Sequence, residues 1–337
     1  VTRLTDRHDA LLLDLDGTLY RGPDPVDGAV DVLRECSSTL CYVTNNASRT
    51  PAAVAEHLRD LGFHAPDESV VTSSQAAARL LAELVPAGSS VLVVGTDALA
   101  AEVEALGLTT TRSADPTPDA VVQGHSPDTG WADIAEATYA VRAGAVWVAA
   151  NADTSLPTPR GLGPGNGAMV AAVAAATGMR PRVAGKPEAP LMTDALARSE
   201  SSSPLVVGDR LDTDIAGANT VGIPSLLVLT GVSTVDDVLW AGPECRPTHL
   251  ASSLAVLLED ESASLIAATD RWSVARDGAT VRLSSGTDAG HGTAGEPAWA
   301  DALRSILPAV WALDGVDTVE GADDAARAVV EEWRARS

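Results

Sequence analysis

Several residues in this sequence carry chemistry in places where polar groups are costly. Asp14-Leu15-Asp16-Gly17-Thr18 follows the apolar run Ala10-Leu11-Leu12-Leu13, so Asp14 interrupts what reads as a buried strand. Asp14 and Asp16, two residues apart on extended chain, point to the same side. They stand where the chain leaves the carboxyl end of a strand, the usual ligand edge of an open α/β sheet. The alternative is a surface turn built on an Asx residue and a glycine. Two neighbouring carboxylates repel, and an apolar setting penalises each, so a bound cation answers both costs. Thr44 and Asn45 end a second apolar run, Leu40-Cys41-Tyr42-Val43, and offer a hydroxyl and an amide. Lys186 in Gly185-Lys186-Pro187 offers a compact positive charge. Taken singly, Thr44 and Asn45 read as a polar turn and Lys186 as a solvated loop residue.

The elements that must position these groups follow from the apolar pattern. Val26 to Glu35 and Ala52 to Leu61 have helical spacing, the second framed by Thr50-Pro51 at its start and Gly62 at its end. With the two strands this predicts β-α-β-α and a parallel sheet with right-handed crossovers. A further series predicts strands at 90–95, 119–122 and 145–149 with helices at 98–106, 134–143 and 168–177. Gly163-Pro164-Gly165-Asn166-Gly167 reads as a breaker. Strands in the style of the first block resume at 204–208 and 224–229. A sheet opened early, interrupted and resumed later is the pattern of an inserted domain. Asp209 directly follows the 204–208 run and so lies at another strand end.

Four segments in order resemble the haloacid dehalogenase superfamily of phosphatases: Asp14-x-Asp16-Gly17-Thr18, Val43-Thr44-Asn45-Asn46, Gly185-Lys186-Pro187, and Gly208-Asp209-Arg210-Leu211-Asp212-Thr213-Asp214. The resemblance covers about residues 8 to 260. The wide gap between the second and third segments points to the subclass with a large α/β cap, which includes nitrophenyl phosphate, phosphoglycolate and glycerol phosphate phosphatases. It implies a Rossmann-like parallel-sheet core at 1–80 and 181–260, an inserted α/β cap at 81–180, and a small α+β extension at 261–337. It further implies Asp14 as nucleophile, Asp16 as general acid and base, and Thr44, Asn45 and Lys186 as phosphate contacts. The implied metal ligands are Asp14, Asp209, the backbone carbonyl of Asp16, and Asp214 through water. Oxygen donors with room for water suggest Mg²⁺. Asp212 reads as a helix-capping residue.

The expected reaction is Mg²⁺-dependent hydrolysis of small phosphate monoesters through an aspartyl-phosphate, leaning to glycerol 3-phosphate or 2-phosphoglycolate. Sugar, nucleotide or pyridoxal phosphates are the alternatives, and an inactive scaffold with a regulatory role is the reading from another class. In the cap, Asn151 and Asp153 are candidates for cap–core contact or substrate hydroxyls. His125 is a candidate because 123–131 departs from the family's Gly-hydrophobic-Asp run.

With 23 Lys and Arg against 46 Asp and Glu, the net charge is −23. That disfavours nucleic acid and anionic lipid as partners. The sequence shows no span of about 20 apolar residues and no secretory leader. Its three cysteines, Cys36, Cys41 and Cys245, fit a cytoplasmic protein. The tail predicts a hairpin at 272–283 around Asp277-Gly278 and helices at 297–313 and 323–336. At this size it is marginal alone and is expected to dock on the main body or a second subunit, so the cap and the extension are the expected surfaces for a homodimer. Its Gly290-His291-Gly292-Thr293-Ala294-Gly295 satisfies G-x-G-x-x-G but lacks the β-α-β unit a dinucleotide site needs. It vaguely resembles an acetyltransferase acyl-CoA loop, with Asp288 placed to repel a pyrophosphate, and is read as a connecting loop.

Overall fold

A computed structural model describes residues 2–158, 160–286 and 296–336, and the 290–295 loop lies outside the described residues. The chain divides into two compact units. The first is Val1–Cys41, Leu61–His64 and Ser199–Ser337, and the second is Tyr42–Asp60 and Ala65–Arg198. Among the described residues no helix is long and apolar enough to cross a membrane.

In the first unit four parallel strands stand in the order His249–Ala251, Ser225–Val228, Pro204–Gly208, Ala10–Leu13. Every residue in them is buried, which is why their sequences run apolar without alternation. The first strand of the chain therefore pairs with one almost two hundred residues later, and Leu13 lies opposite Val207. That register brings the two strand ends, and the acids that follow them, to the same edge. The helix expected from Val26 begins at Ala29 and ends at Glu35.

The C-terminal extension belongs to this unit. Trp272–Asp277 and Thr280–Ser285 form the expected antiparallel hairpin, and Thr318–Gly321 adds a third, parallel strand. The helices Ala298–Trp311 and Asp324–Arg334 cover it. Trp272, Trp299, Leu303, Ile306, Val330 and Trp333 share one apolar cluster with Leu227 and Leu250 of the main sheet and with Leu211 and Ile215 of the turn after Pro204–Gly208. At about 1.5–3 kcal/mol for each large side chain fully buried, that shared core explains how so short a segment is held.

The second unit is built on a five-stranded parallel sheet in the order Arg182–Val183, Val146–Ala149, Ala120–Gln123, Ser90–Val94, Thr109–Thr111. The helices Trp131–Arg142 and Asn166–Thr177 pack Ala137, Ala140, Val141, Val170 and Val173 against Leu92, Val121 and Trp147. Thr39–Thr44 pairs in parallel with Val70–Thr72. Ser155–Thr158 pairs antiparallel with Gly161–Pro164, a hairpin the sequence reading did not include, and the breaker 163–167 spans the change from this hairpin to the helix Asn166–Thr177. A two-stranded ribbon has free edges, so prolines and glycines that would disrupt a central strand are tolerated there.

Candidate active site

The first unit gathers the acids. One oxygen each from Asp14, Asp209 and Asp214 lies within 4.8 Å of the others. Asp14 is half-buried at the end of its strand, and its backbone N–H donates to the Val207 carbonyl at 2.9 Å. Asp209 is fully buried. Its two oxygens accept from Thr18 Oγ1 at 3.1 Å and the Val232 N–H at 2.7 Å. Asp214 is buried in the π-helical turn Leu211–Ile215, and its Oδ2 accepts from the Arg210 N–H at 3.1 Å. Thr230 Oγ1 donates to the Gly17 carbonyl at 2.8 Å, which ties the loop after Ser225–Val228 to the first acidic segment.

Gly17 explains how the cluster closes. Its φ is +88°, and a Cβ there would lie 2.4 Å from Asp209 Oδ2. Any other residue would be strained and would push Asp209 away. Asp16 is exposed, and Tyr20 Oη donates to its Oδ2 at 3.4 Å. Asp212 does not cap a helix with its side chain. It pairs with Arg210 at 2.8 Å, and that guanidinium holds its carboxyl below the ordinary range.

Three carboxylates packed this closely, two of them buried, are mutually repulsive without a cation. The donors are all hard oxygens, which suits Mg²⁺ or Ca²⁺ rather than a softer metal. The residues present thus fit the implied metal.

The second unit gathers donors around Asn45. Its Nδ2 donates to Asp153 Oδ2 at 3.2 Å and to the Lys186 carbonyl at 3.0 Å, and its Oδ1 accepts from the Lys186 N–H at 2.8 Å. Its carbonyl accepts from Ser73 Oγ and from Asn151 Nδ2, each at 2.6 Å. Lys186 is 4% exposed, and its ammonium donates to the Val43 carbonyl at 3.0 Å. Thr44, buried at the end of its strand, accepts from the Asn46 N–H at 3.1 Å. A Cβ on Gly185 would lie 2.6 Å from Asn45 Oδ1, so the glycine permits the close approach of the two segments.

Asn151, Asp153 and Lys186 are therefore brought together around Asn45. His125 enters none of these bonds; it is half-buried, and that burial lowers its pKa. Sequence reasoning passed over Thr18, Thr230, Val232 and Ser73, which hold the acids and amides in place. Thr230 had a readable signal, a hydroxyl at the end of a buried strand.

Comparison with known proteins places the chain in a family. A haloacid dehalogenase-like hydrolase model matches residues 11–109, and a HAD-hydrolase-like model matches residues 183–257. The chain belongs to the haloacid dehalogenase-like hydrolases. It is 48% identical to a D-glycerol 3-phosphate phosphatase of Mycobacterium tuberculosis, over 98% of this chain and 95% of that protein. A crystal structure of the glycerol phosphate phosphatase of that organism in complex with magnesium superposes with a TM-score of 0.93 at 49% identity, covering 98% of each chain. An acid sugar phosphatase of Staphylococcus aureus is 40% identical over 69% of this chain and 90% of its own length.

Proposed function

We propose that this hydrolase removes phosphate from small phosphate monoesters with Mg²⁺ as cofactor, and that glycerol 3-phosphate is its preferred substrate. The observation that carries the substrate is the 48% identity, across almost the whole chain, to a D-glycerol 3-phosphate phosphatase. Sugar phosphates are the second reading, favoured by the 40% identity to an acid sugar phosphatase. A cytoplasmic enzyme is part of the proposal, in keeping with its sparse cysteines.

In this reading an Asp14 carboxylate oxygen attacks phosphorus and the bond to the leaving oxygen breaks, giving an aspartyl-phosphate. Asp16 gives its proton to the departing alkoxide. It then takes a proton from the water that attacks the intermediate, and Asp14 is released with inorganic phosphate. The two acids must begin in opposite protonation states. A cation bound at the three-carboxylate cluster would hold Asp14 ionised, and Asp16, outside that cluster, is the acid left to carry the proton. Asp14, Asp209 and the Asp16 carbonyl, with Asp214 through water, would hold Mg²⁺, which would supply the charge neutralisation that phosphoryl transfer demands. Thr18 and the Val232 N–H orient Asp209, and Tyr20 orients Asp16. Thr44, Asn45 and Lys186 are assigned to phosphate oxygens by their motifs.

The test is phosphate release from a panel of glycerol, glycolate, sugar, nucleotide and pyridoxal phosphates, with Mg²⁺ and with chelator, for wild type and Asp14→Asn. Release is expected to need the metal, to rank glycerol 3-phosphate first in kcat/KM, and to fall at least roughly 10⁴-fold in the variant. Turnover retained in Asp14→Asn would remove Asp14 as nucleophile, and a sugar phosphate ranked first would favour the second reading.

A further inference from the structure

The C-terminal extension carries a buried ion pair that the reaction does not use. Arg304, on the helix Ala298–Trp311, meets Glu296 at 3.2 Å, with their side chains 3% and 0% exposed. Asp301 lies 3.6 Å from Arg304 and 3.1 Å from Arg271. Burying charges costs about as much as their attraction returns, so such a pair adds little stability over an apolar replacement of the same shape. What it does supply is fixed geometry, and both partners aim at the main sheet. Glu296 accepts from the Ser252 N–H at 2.9 Å and from Ser252 Oγ at 3.0 Å, while Arg304 donates to the Leu250 carbonyl at 3.3 Å.

Ser252 directly follows the strand His249–Ala251, and the contacts continue from there toward the acids. Ala251 lies opposite Val228, and its carbonyl accepts from the Leu229 N–H at 3.0 Å. Leu229 opens the short loop whose Thr230 holds the Gly17 carbonyl and whose Val232 N–H holds Asp209 Oδ2. Ser233 closes it, donating its N–H to the Asp209 carbonyl at 3.1 Å and accepting from the Leu211 N–H at 3.0 Å. A second, independent connection is apolar. Leu211 and Ile215, on either side of Asp214, share their cluster with Trp299, Leu303 and Ile306 of the extension.

We propose that Glu296 and Arg304 are positioning residues for the metal site, with the extension acting as a brace that fixes the 229–233 loop and through it Asp209. This rests on the reading of Asp209 as a metal ligand. Supporting groups that orient ligands change metal affinity without touching the metal.

The experiment measures Mg²⁺ affinity by calorimetry on the full chain without substrate, beside thermal melting and the Mg²⁺ dependence of turnover. Glu296→Gln keeps the shape but cannot accept both Ser252 bonds. It is expected to weaken Mg²⁺ binding about tenfold or more, with kcat at saturating Mg²⁺ much less affected. Ser252→Ala, which removes one bond and leaves the ion pair, is expected to shift it in the same direction by less. Arg336→Ala, which loses a stack on Trp299 at 4.5 Å and an exposed ion pair with Glu332 at 3.1 Å, is the control and should lower the melting temperature without changing Mg²⁺ affinity. Unchanged affinity in a folded Glu296→Gln protein overturns the proposal. If that variant does not fold, unchanged affinity in Ser252→Ala overturns it. Asp209→Asn separates the premise: if it binds Mg²⁺ as wild type does, the reading of the ligand fails, whereas lost binding there with intact binding in Glu296→Gln sinks the brace alone.

Discussion

The two units assemble opposite chemistries by opposite means. The first collects three carboxylates and holds them with groups close by in space: backbone N–H donors, one threonine hydroxyl and a glycine with positive φ. The second collects amides and an ammonium around one residue, Asn45, whose side chain and carbonyl join Lys186, Asn151, Asp153 and Ser73. The Asn45 amide, both as donor and as acceptor, is engaged by other protein groups. The acid cluster instead sets three like charges within 4.8 Å of one another, two of them buried. One unit therefore joins amides and an ammonium to carbonyls and a carboxylate, while the other gathers like charges, an instance of function costing stability.

That contrast predicts stability changes of opposite sign for exchanges between acid and amide. Asn45→Asp should destabilise the most. It forfeits both Nδ2 bonds and sets a carboxylate against Asp153, 3.2 Å from the atom it replaces. Losing two bonds at about 0.5–1.5 kcal/mol each, with like-charge repulsion added, suggests about 2–4 kcal/mol. Asp14→Asn removes one of three mutually repelling charges and should raise stability in chelator by about 1–3 kcal/mol, even as turnover is lost. Thermal melting with chelator checks both. Asp14→Asn melting below wild type would show that repulsion does not dominate the cluster.

Mg²⁺ itself sharpens the same point. At about one hundred times its Kd, a ligand that binds only the folded state adds about 2.7 kcal/mol. Wild type should gain melting temperature with Mg²⁺, and Asp14→Asn should gain much less. Hydrogen exchange should place the protection in the first unit, around Pro204–Gly208 and Ala10–Leu13, rather than in the Ala120–Gln123 and Val146–Ala149 strands. Equal protection in both units would contradict the division of labour.

How much of this was legible depends on the distance over which each feature is specified. Long apolar runs such as Leu205-Val206-Val207 announce buried strands by themselves, and the acids at their ends announce a ligand edge. Strands of three residues, Val70–Thr72, Thr109–Thr111 and His249–Ala251, are too short to show any period and form because neighbours offer them a ladder. The hairpin within 155–164 hides behind Pro157, Gly163 and Pro164. Thr44, Asn45 and Lys186 could be named from motifs, but the hub role of Asn45 joins segments 141 residues apart and has no local signal. The same holds for Glu296 and Ser252, 44 residues apart. His125, a candidate because the sequence departs from its family there, has no hydrogen bond to its side chain among the described residues.

The smallest expected effect separates the units by pH. His249, buried in the first unit, has its pKa lowered to about 4 by burial and by the nearby charge of His8, whose ring lies 6.4 Å away, edge-on. Its Nδ1 lies 3.0 Å from Ser264 Oγ. In the unfolded chain this imidazole titrates near 6.5, so between the two values the unfolded state binds the extra proton and stability falls as pH falls. The stabilisation is complete well above 6.5 and diminishes down to about 4. From pH 7 to 5.5, before most carboxylates titrate, this one group should cost about 1 kcal/mol. His249→Gln should flatten that part of the pH profile whatever its own stability, since the slope reports protons and not contacts. The effect should register in exchange at His249–Ala251 and not at Val146–Ala149. A slope unchanged in the variant would mean that His249 is not the group responding.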